Sequence, residues 1–480
     1  MEATSASNIT TPRGAPLPLD AGSIFVLAVT LIVFCVPLLF LFPPFPPRQS
    51  DALEETHTKL GIDQAKSNLK NYTKKLEDVS SKPRESVGKI ESLFVYPIKS
   101  CKGIELARTK VIPTGLEFDR LFTFAQLKSP FPVSVDGSDN EKAKQHTWEF
   151  ITQRQFPLLA TVEIELWQPD LAKMKGFRDL SAGSSDEVFL IVRFPWRQGG
   201  WRGLWEVFEA KCLRGWRGVP TTEVLLPVAF PDKSEITRKG YEFEPVRVWG
   251  EETVALNMGN ELPEELRRYL GVSNKLALFR VDPEALRGVG KNAPAEEDAG
   301  YRPVVGFADS VSAVASDLDE AAGPGLTEEG KYPVHIMNLA SVRDLDSKVT
   351  KDKDLEELSP RRFRANIFVS GLPAYDEDDW KKIKLRSEGS KQSDEAAFHV
   401  SCRTTRCKLP NVDPDTGVRH RVEPDKTLRV QRAIDAGAPK TGCLGMQMTP
   451  LFENKGSQHF YLEVGMTAEV LERGEHMYKR

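Results

Sequence analysis

The chain has 480 residues, and its 65 Lys and Arg against 69 Asp and Glu side chains give a formal net charge of −4. With 40% hydrophobic and 28% charged residues, the composition is that of a globular protein and excludes a disordered or fibrous chain. The slightly acidic balance argues against a nucleic-acid partner, because binding to phosphate backbones needs a basic surplus. Six cysteines without a Cys-x-x-Cys pair are too few for a disulfide scaffold, so we expect the soluble part in a reducing compartment.

An apolar stretch near the N-terminus predicts a membrane anchor. The 19 residues from Ile24 to Phe42 carry no charge, and a helix of this length spans about 28 Å, close to the hydrocarbon thickness of a bilayer. A buried core helix is the alternative, whereas a cleaved signal peptide would need a basic start and a small-residue cleavage site. We therefore predict a tail over 1–22 and a retained transmembrane helix over 23–43. The basic residues that follow favour a cytosolic position for the rest of the chain.

The chain after this helix changes from polar to strand-like patterns. Residues 44–88 are rich in Lys and Glu, with Leu side chains at loosely helical spacing, which predicts a solvated helical stalk. Apolar and acidic residues alternate from Thr161 to Trp167, as in a half-buried strand, and Val188 to Phe194 is an apolar strand candidate. The spacing from Pro263 to Gly271 predicts a short helix, which Pro263 can begin and Gly271 can end.

A small, polar segment with Pro and Gly, 287–302, marks the expected boundary between two soluble units. We place these units at 89–286 and 300–478. Within the first unit, four Trp and four Arg residues alternate: Trp196, Trp201, Trp205, Trp216, Arg197, Arg202, Arg214 and Arg217. We expect a loop that packs on its own barrel, while stacking on bases or a surface for a partner is the alternative.

Several common cofactor motifs are absent from the sequence. No GxxxxGK[ST] loop occurs, and Gly288-Val289-Gly290 lacks the third Gly and the following helix of a dinucleotide loop. The seven His residues include no H-E-x-x-H pattern. The stretch from Asp413 to Gly417 is similar to a calcium loop, but Pro424 occupies the place of its last acidic ligand, so we predict a tight turn instead.

Two stretches combine turn residues with groups that suit an anion. Lys99 and Ser100 follow a strand-like run and a Pro, where a turn can present N–H groups, a hydroxyl and an ammonium. Arg364 and Asn366 are two residues apart and therefore on one face of an extended segment. Arg can bind phosphate bidentately, and Asn can both donate and accept hydrogen bonds.

A third stretch places a thiol between two cations. Arg406 and Lys408 flank Cys407, and their charges should favour the thiolate. A thiolate beside anion-binding groups suggests a soft metal held with a phosphorylated cofactor. The alternative for each stretch taken alone is structural, an inert packed Cys or a solvated basic face.

Together the stretches resemble the MOSC family. KIESLFVYPIKSCKGIEL, followed by GLEFDR ending at Arg120, is similar to the start of its N-terminal β-barrel; RFRANIFVSG, RCKLPNVDPDTG and EPDKTL are similar to its cofactor domain. Within the family these stretches resemble the mitochondrial amidoxime reducing components and their fungal relatives, over roughly 89–170 and 300–478. The resemblance implies a mainly β fold with some α-helix, in which an N-terminal MOSC-type barrel precedes a C-terminal MOSC barrel.

The resemblance also implies a molybdenum cofactor and its site. By motif position Cys407 is the metal ligand and the catalytic residue. The residues that match cofactor-contacting positions are Lys99, Ser100, Arg120, Asp309, Ser310, Arg364, Asn366, Arg406 and Cys407. Asp309 and Ser310 are less secure, because the 21 residues 311–331 interrupt the segment that they begin. Either a surface loop or a retained intron of 63 nucleotides explains this insertion.

The function that the resemblance implies is the reduction of N-hydroxylated compounds such as amidoximes. No motif for NADH or flavin occurs, so electrons must come from outside; in the family a b-type cytochrome and its NADH-dependent reductase supply them. The mitochondrial outer membrane is the expected location, with the endoplasmic reticulum as alternative. A carrier or binding protein for the cofactor or for sulfur, without turnover, is the second hypothesis. The sulfurases that act in this way carry a pyridoxal-phosphate domain, for which the helix and stalk leave no room.

Overall fold

The computed structural model describes residues 20–41, 48–71, 88–129, 146–174, 187–249, 251–308, 331–387, 395–452 and 459–478. The chain forms two compact units, Met1–Asp51 and Ala52–Arg480. Its helices are α1 (Ala21–Leu41), α2 (Gln49–Glu54), α3 (Leu171–Met174), α4 (Gly200–Arg214), α5 (Lys233–Lys239), α6 (Glu264–Leu270), α7 (Glu296–Ala299), α8 (Leu339–Lys348) and α9 (Asp425–Gln431). Short 3-10 helices occupy Gln64–Lys66, Asn68–Asn71, Pro157–Thr161, Gly259–Glu261, Pro360–Phe363, Asp376–Asp379 and Leu409–Asn411.

In the described part of the chain, all the strands lie in the second unit. They are β1 (His57–Leu60), β2 (Gly88–Val95), β3 (Ile104–Leu106), β4 (Arg108–Ile112), β5 (Gly115–Leu116), β6 (Phe122–Lys128), β7 (Thr147–Phe150), β8 (Glu163–Pro169), β9 (Phe189–Pro195), β10 (Thr221–Pro227), β11 (Glu242–Val248), β12 (Glu251–Asn257), β13 (Leu276–Val281), β14 (Arg287–Gly288), β15 (Val304–Val305), β16 (Val334–Asn338), β17 (Ile367–Ser370), β18 (Trp380–Arg386), β19 (Ala396–Arg406), β20 (Gly442–Leu451), β21 (Phe460–Glu463) and β22 (Thr467–Arg473).

The first unit contains α1, a 21-residue helix without charged residues. Its segment Ala21–Leu38 is long and apolar enough to cross a membrane. This helix corresponds to the anchor that the sequence predicts over 23–43, and by length and composition it is a candidate span.

Two β-structures form the N-terminal part of the second unit. The strands β1, β8, β9 and β10 make an antiparallel sheet in that order. The strands β11, β12, β13, β6 and β7 close into a barrel. Apolar and polar residues alternate in β8, as in a sheet with one covered side, whereas β9 and β13 are almost wholly apolar and largely buried.

The C-terminal part is a larger barrel that includes a strand from the N-terminal part. Its strands follow the order β17, β16, β20, β19, β18, β22 and β2, and β2 also pairs with β17, which closes the ring. In sequence, β2 belongs to the predicted unit 89–286, but it completes the barrel of the predicted unit 300–478. The predicted mainly β fold with two barrels is confirmed, and β2 joins the two parts.

Local sequence patterns predicted several elements correctly. The alternating stretch and the apolar stretch form β8 and β9, which pair with each other. The short helix α6 begins after Pro263 and ends at Gly271, whose φ of 72° lies in the left-handed region that glycine tolerates. The turn at Asp413 is also present, since its Oδ1 accepts the backbone N–H of Thr416 at 2.9 Å.

Two predicted segments differ from the structure. Within the expected helical stalk, His57–Leu60 forms β1 and pairs with β8, and Leu53 and Leu69 are buried, because pairing with a sheet edge outweighs a loose helical pattern. The Trp- and Arg-rich segment contains the 15-residue helix α4 where we expected a loop. Asp309, Ser310 and residues 311–330 of the expected insertion lie outside the described residues.

Candidate functional site

A cavity lies where residues that follow β2, precede β6 and follow β7 meet the C-terminal barrel. Seven of the nine sequence-predicted site residues line it: Lys99, Ser100, Arg120, Arg364, Asn366, Arg406 and Cys407. They come from four separate stretches of the chain, which the closure of the C-terminal barrel by β2 brings together. The remaining two, Asp309 and Ser310, are not among the described residues.

Three of the cavity residues have a left-handed backbone conformation. The φ angles of Ser100, Arg120 and Arg364 are 68°, 50° and 54°. A residue with a Cβ rarely adopts such angles, which cost about 1–3 kcal/mol each and concentrate at ligand-binding and active sites. The backbone at this cavity is therefore held in a conformation that local propensity does not favour.

The turn after β2 brings Lys99 into the cavity wall. Its backbone N–H donates to the carbonyl of Phe122 at 2.9 Å, which ties the turn to β6. The Lys99 Nζ donates to the carbonyl of Phe307 at 3.3 Å and lies 5.3 Å from the centre of the Phe150 ring. The ammonium is therefore held inside the wall and is largely removed from solvent.

Asn366 connects Arg120, which precedes β6, to two strands of the C-terminal barrel. Its Oδ1 accepts hydrogen bonds from Arg120 Nη1 and from the backbone N–H of His335, both at 3.1 Å. Its Nδ2 donates to the carbonyl of Phe94 at 3.1 Å. Asn366 is fully buried, so these bonds hold the position of Arg120 relative to β2 and β16.

Arg364 lies against an aromatic ring and has a donor without a partner. Its guanidinium lies 4.2 Å from the centre of the Tyr96 ring, and Arg120 lies 5.0 Å from the same ring. Arg364 Nη1 donates to the carbonyl of Cys101 at 2.6 Å, whereas its buried Nη2 has no hydrogen-bond partner. Burial lowers the pKa of Arg364 to about 10, with the nearby charge of Arg120 acting in the same direction. Arg120 forms an ion pair with Asp119, so the guanidinium of Arg364, whose Nη2 lacks a partner, is the group of these two that favours an anion in the cavity.

Arg406 is fixed beside a histidine that the sequence analysis did not assign to the site. Arg406 donates to the carbonyls of Leu444 at 2.9 Å and Phe363 at 3.0 Å, and its Nη2 lies 2.7 Å from His335 Nε2. Because the guanidinium can only donate, His335 Nε2 is the acceptor and carries no proton. Burial and the positive charge of Arg406 lower the pKa of His335 well below its ordinary value, which keeps the ring neutral. Burial likewise lowers the pKa of Arg406 to about 9.

Cys407 follows β19 at the opening of a tight turn. Its side chain is 4% exposed, and its Sγ accepts the backbone N–H of Leu409 at 3.3 Å. Gln153, from the N-terminal part, donates from Nε2 to the carbonyl of Leu409 at 3.3 Å. The thiol is thus oriented by its own turn, and the other wall of the cavity supports that turn.

A buried arginine braces the segment after the thiol. Arg362 Nη1 donates to the carbonyls of Pro410 at 3.3 Å and Asn411 at 3.1 Å, and its Nη2 donates to Asp413 Oδ2 at 2.7 Å. Asp413 accepts the N–H of Thr416 through its other oxygen. These contacts give Asp413 a structural role in the turn, and Arg362 was not identified from the sequence.

The residues present fit a phosphorylated pterin that carries a metal. The cavity combines several cations with two buried polar atoms that lack partners, Arg364 Nη2 and Thr152 Oγ1. In the described part of the chain no group of three or more His, Cys, Asp or Glu side chains gathers as for a metal ion. A metal bound through Cys407 would take its other ligands from a cofactor, and the unpaired donors are available to that cofactor.

Comparison with known proteins defines the class to which this fold and site belong. Residues 87–182 match the MOSC N-terminal beta barrel domain, and residues 317–469 match the MOSC domain. The chain therefore belongs to the MOSC family.

Within that class the chain is similar to proteins named for amidoxime reduction. It is 35% identical over 359 residues to mitochondrial amidoxime reducing component 2 of Bos taurus, covering 73% of this chain and 74% of the relative. It is 24% identical over 368 residues to component 2 of Rattus norvegicus, covering 77% and 78%. It is 23% identical over 386 residues to mitochondrial amidoxime-reducing component 1 of Homo sapiens, covering 80% and 82%.

Proposed function

We propose that this protein is a membrane-anchored reductase that uses a molybdenum cofactor to reduce N-hydroxylated compounds of the amidoxime type. The observation that carries the proposal is the nearly buried thiol of Cys407 in one cavity with the cations of Lys99, Arg120 and Arg364. The names of the relatives from cattle, rat and human support the same class of reaction.

The proposed cofactor contacts follow from the chemistry of the wall. Cys407 would ligate the molybdenum, because it is the cavity's one thiol among the described residues. Arg364 would donate its unpaired Nη2 to the phosphorylated part, where a guanidinium binds bidentately. Lys99 and Ser100 would add an ammonium and a hydroxyl from the turn after β2. Arg120 and Asn366 would fix the position of the adjacent part of the cavity wall.

When bound, the cofactor supplies a metal centre at which the substrate gains two electrons and two protons and loses its hydroxyl oxygen as water. The side chains of this protein contribute position and a constant electrostatic environment. The bonds of Arg406 to two carbonyls fix its guanidinium in the cavity wall, so its charge stays beside the start of the Cys407 turn. The neutral His335 accepts from Arg406 and adds no further positive charge. The low exposure of Cys407 limits the access of water to the metal ligand.

The electrons in this proposal come from a b-type cytochrome and its NADH-dependent reductase. The candidate span α1 would anchor the chain in the mitochondrial outer membrane with the catalytic part in the cytosol. Attachment of enzyme and donor to one membrane raises their effective concentration. A fluorescent fusion of residues 1–60 tests the location, and a signal at the endoplasmic reticulum alone would contradict the mitochondrial assignment.

The central experiment compares two cysteine variants of the full chain. The protein is produced in a host that makes the cofactor, and its molybdenum content and its reduction of benzamidoxime with a supplied cytochrome and reductase are measured. We expect about one molybdenum per chain and NADH-dependent reduction. The variant Cys407→Ala should lose both and keep its fold. The control Cys443→Ala removes another buried thiol, in β20 outside the cavity, and should retain both.

The outcomes separate the proposed reductase from its rival. Molybdenum without benzamidoxime reduction in the wild-type chain favours a cofactor or sulfur carrier, or a binding protein without turnover. Wild-type protein free of molybdenum from a competent host rejects the cofactor assignment. Full activity in Cys407→Ala rejects the role of that residue.

A further inference from the structure

Helix α4 turns its large apolar side chains outward. Trp201 is 85% exposed, Leu204 and Phe208 are also exposed, and these three residues follow the spacing of one helical face. The opposite face carries Gly203 and Ala210, which are buried. This arrangement is the reverse of a surface helix in a globular protein, where the large apolar residues face the core.

The inner face of α4 carries small residues because the flanking segments of the chain lie directly on it. A Cβ added at Gly203 would come within 1.8 Å of the carbonyl oxygen of Gln198. A Cβ added at Gly218 would come within 2.0 Å of the carbonyl oxygen of Ala210. The segments before and after α4 therefore pack on its backbone, and the aromatic face remains outside this packing.

The exposed apolar surface continues past the end of the helix. Leu213, Trp216 and Val219 are exposed, Trp216 by 88%. In the described part of Ala52–Arg480, six of the sixteen exposed large hydrophobic residues lie between positions 201 and 219. A concentration of this kind marks an interaction site, whereas single exposed apolar residues need no explanation.

Basic side chains surround this apolar surface. Residues 197–217 contain five Lys and Arg but two Glu, although the whole chain has a net charge of −4. Lys211 Nζ donates to the carbonyl of Trp216 at 3.0 Å and lies 5.5 Å from the centre of its ring. Arg214 Nη1 donates to the carbonyl of Val219 at 3.4 Å. Tryptophan with adjacent Lys and Arg is the composition of a helix that lies in the headgroup region of a bilayer.

We propose that α4 and residues 215–219 lie in the interface of a membrane with anionic lipids. The aromatic face would enter the headgroup and upper acyl region, and the basic residues would meet lipid phosphates and carboxylates. The same chain carries the candidate span α1, which would keep a bilayer at high effective concentration. In a two-fold dimer formed through this surface, the basic residues of the two copies would face each other, so the basic surplus favours an anionic lipid surface over such a dimer. The proposal does not depend on the proposed reductase activity.

Tryptophan fluorescence tests this contact because the candidate span contains no tryptophan. All eight Trp residues lie at or after position 148. The full chain is reconstituted into vesicles of phosphatidylcholine brominated in the acyl chains, with or without about 30 mol% phosphatidylserine. Flotation reports attachment, and quenching reports Trp residues at the acyl chains. We expect quenching of up to about a quarter of the emission, since two of eight Trp residues are almost fully exposed in this segment.

Matched variants show which Trp residues and which charges give the quenching. The double variant Trp201→Phe/Trp216→Phe keeps the apolar surface and should lose at least about half of the quenched amplitude. Trp249→Phe removes a Trp elsewhere and should leave the amplitude unchanged. We expect phosphatidylserine to increase the quenching. Reversal of two flanking charges, Arg197→Glu/Arg217→Glu, should abolish this increase, whereas Arg238→Glu on α5 should preserve it.

Four results would overturn the proposal. These are flotation without Trp quenching, failure of the full chain to float, quenching that persists in the double Trp variant, and protection of these Trp residues in a dimer that forms without lipid. The last result would assign the surface to a second copy of the chain.

Discussion

Replacement of Asn366 by alanine tests whether one buried amide holds the site between the two barrels together. The change removes three hydrogen bonds of 3.1 Å, from Arg120 and the His335 N–H to Oδ1 and from Nδ2 to the Phe94 carbonyl. Each is worth about 1 kcal/mol, and each buried group left without a partner costs about 1–3 kcal/mol. We therefore expect the free energy of unfolding to fall by about 3–5 kcal/mol.

The assay is urea unfolding followed by pulse proteolysis of the full chain in mild detergent, where the loss should lower the midpoint by about 1 M or more. The variant Asn366→Asp keeps an acceptor for Arg120, so its urea midpoint should fall by about half as much. Asn260→Ala removes an exposed Asn that donates to the carbonyl of Gly240 at 3.1 Å and should change the midpoint little. A midpoint for Asn366→Ala equal to that of Asn260→Ala would refute the role of the buried amide.

Three further predictions concern the neighbourhood of the site and the core. Arg362→Met should lower the free energy of unfolding by about 2–4 kcal/mol and speed proteolytic cleavage after Cys407, because three hydrogen bonds of a buried guanidinium disappear. Unchanged cleavage would argue against the stabilisation of this segment by Arg362. Arg364→Lys should lower molybdenum retention about tenfold or more, since a charged hydrogen bond is worth about 1.5–3 kcal/mol; equal retention in both proteins would exclude the contact. Burial raises the pKa of Glu377 to about 7 from 4.5, so the native state binds more protons than the unfolded state between these values. The free energy of unfolding should therefore fall by at most about 3 kcal/mol as pH rises from 4.5 to 7, and Glu377→Gln should flatten that slope in urea titrations at several pH values; an unchanged slope would assign it to other groups.

Much of the local structure was predictable because its causes are local. The charge-free stretch indicates α1, alternation indicates β8, and Pro263 with Gly271 bounds α6. Periodicity and capping depend on residues a few positions apart, so a single sequence shows them directly. The thiol between two cations and the pair Arg364 and Asn366 also pointed to an anion and a soft metal before their positions in space were known.

The tertiary structure alone decides what depends on distant partners. β2 closes the C-terminal barrel, although its neighbours β17 and β22 lie more than 250 residues later in sequence. His57–Leu60 becomes a strand because β8 offers an edge, and a Trp-rich segment becomes a helix that exposes its aromatic face. The places of His335, Gln153 and Arg362 at the site follow from hydrogen-bond partners on other strands and turns. No local pattern records such partners, since strand pairing and the satisfaction of buried polar groups are set by the whole fold.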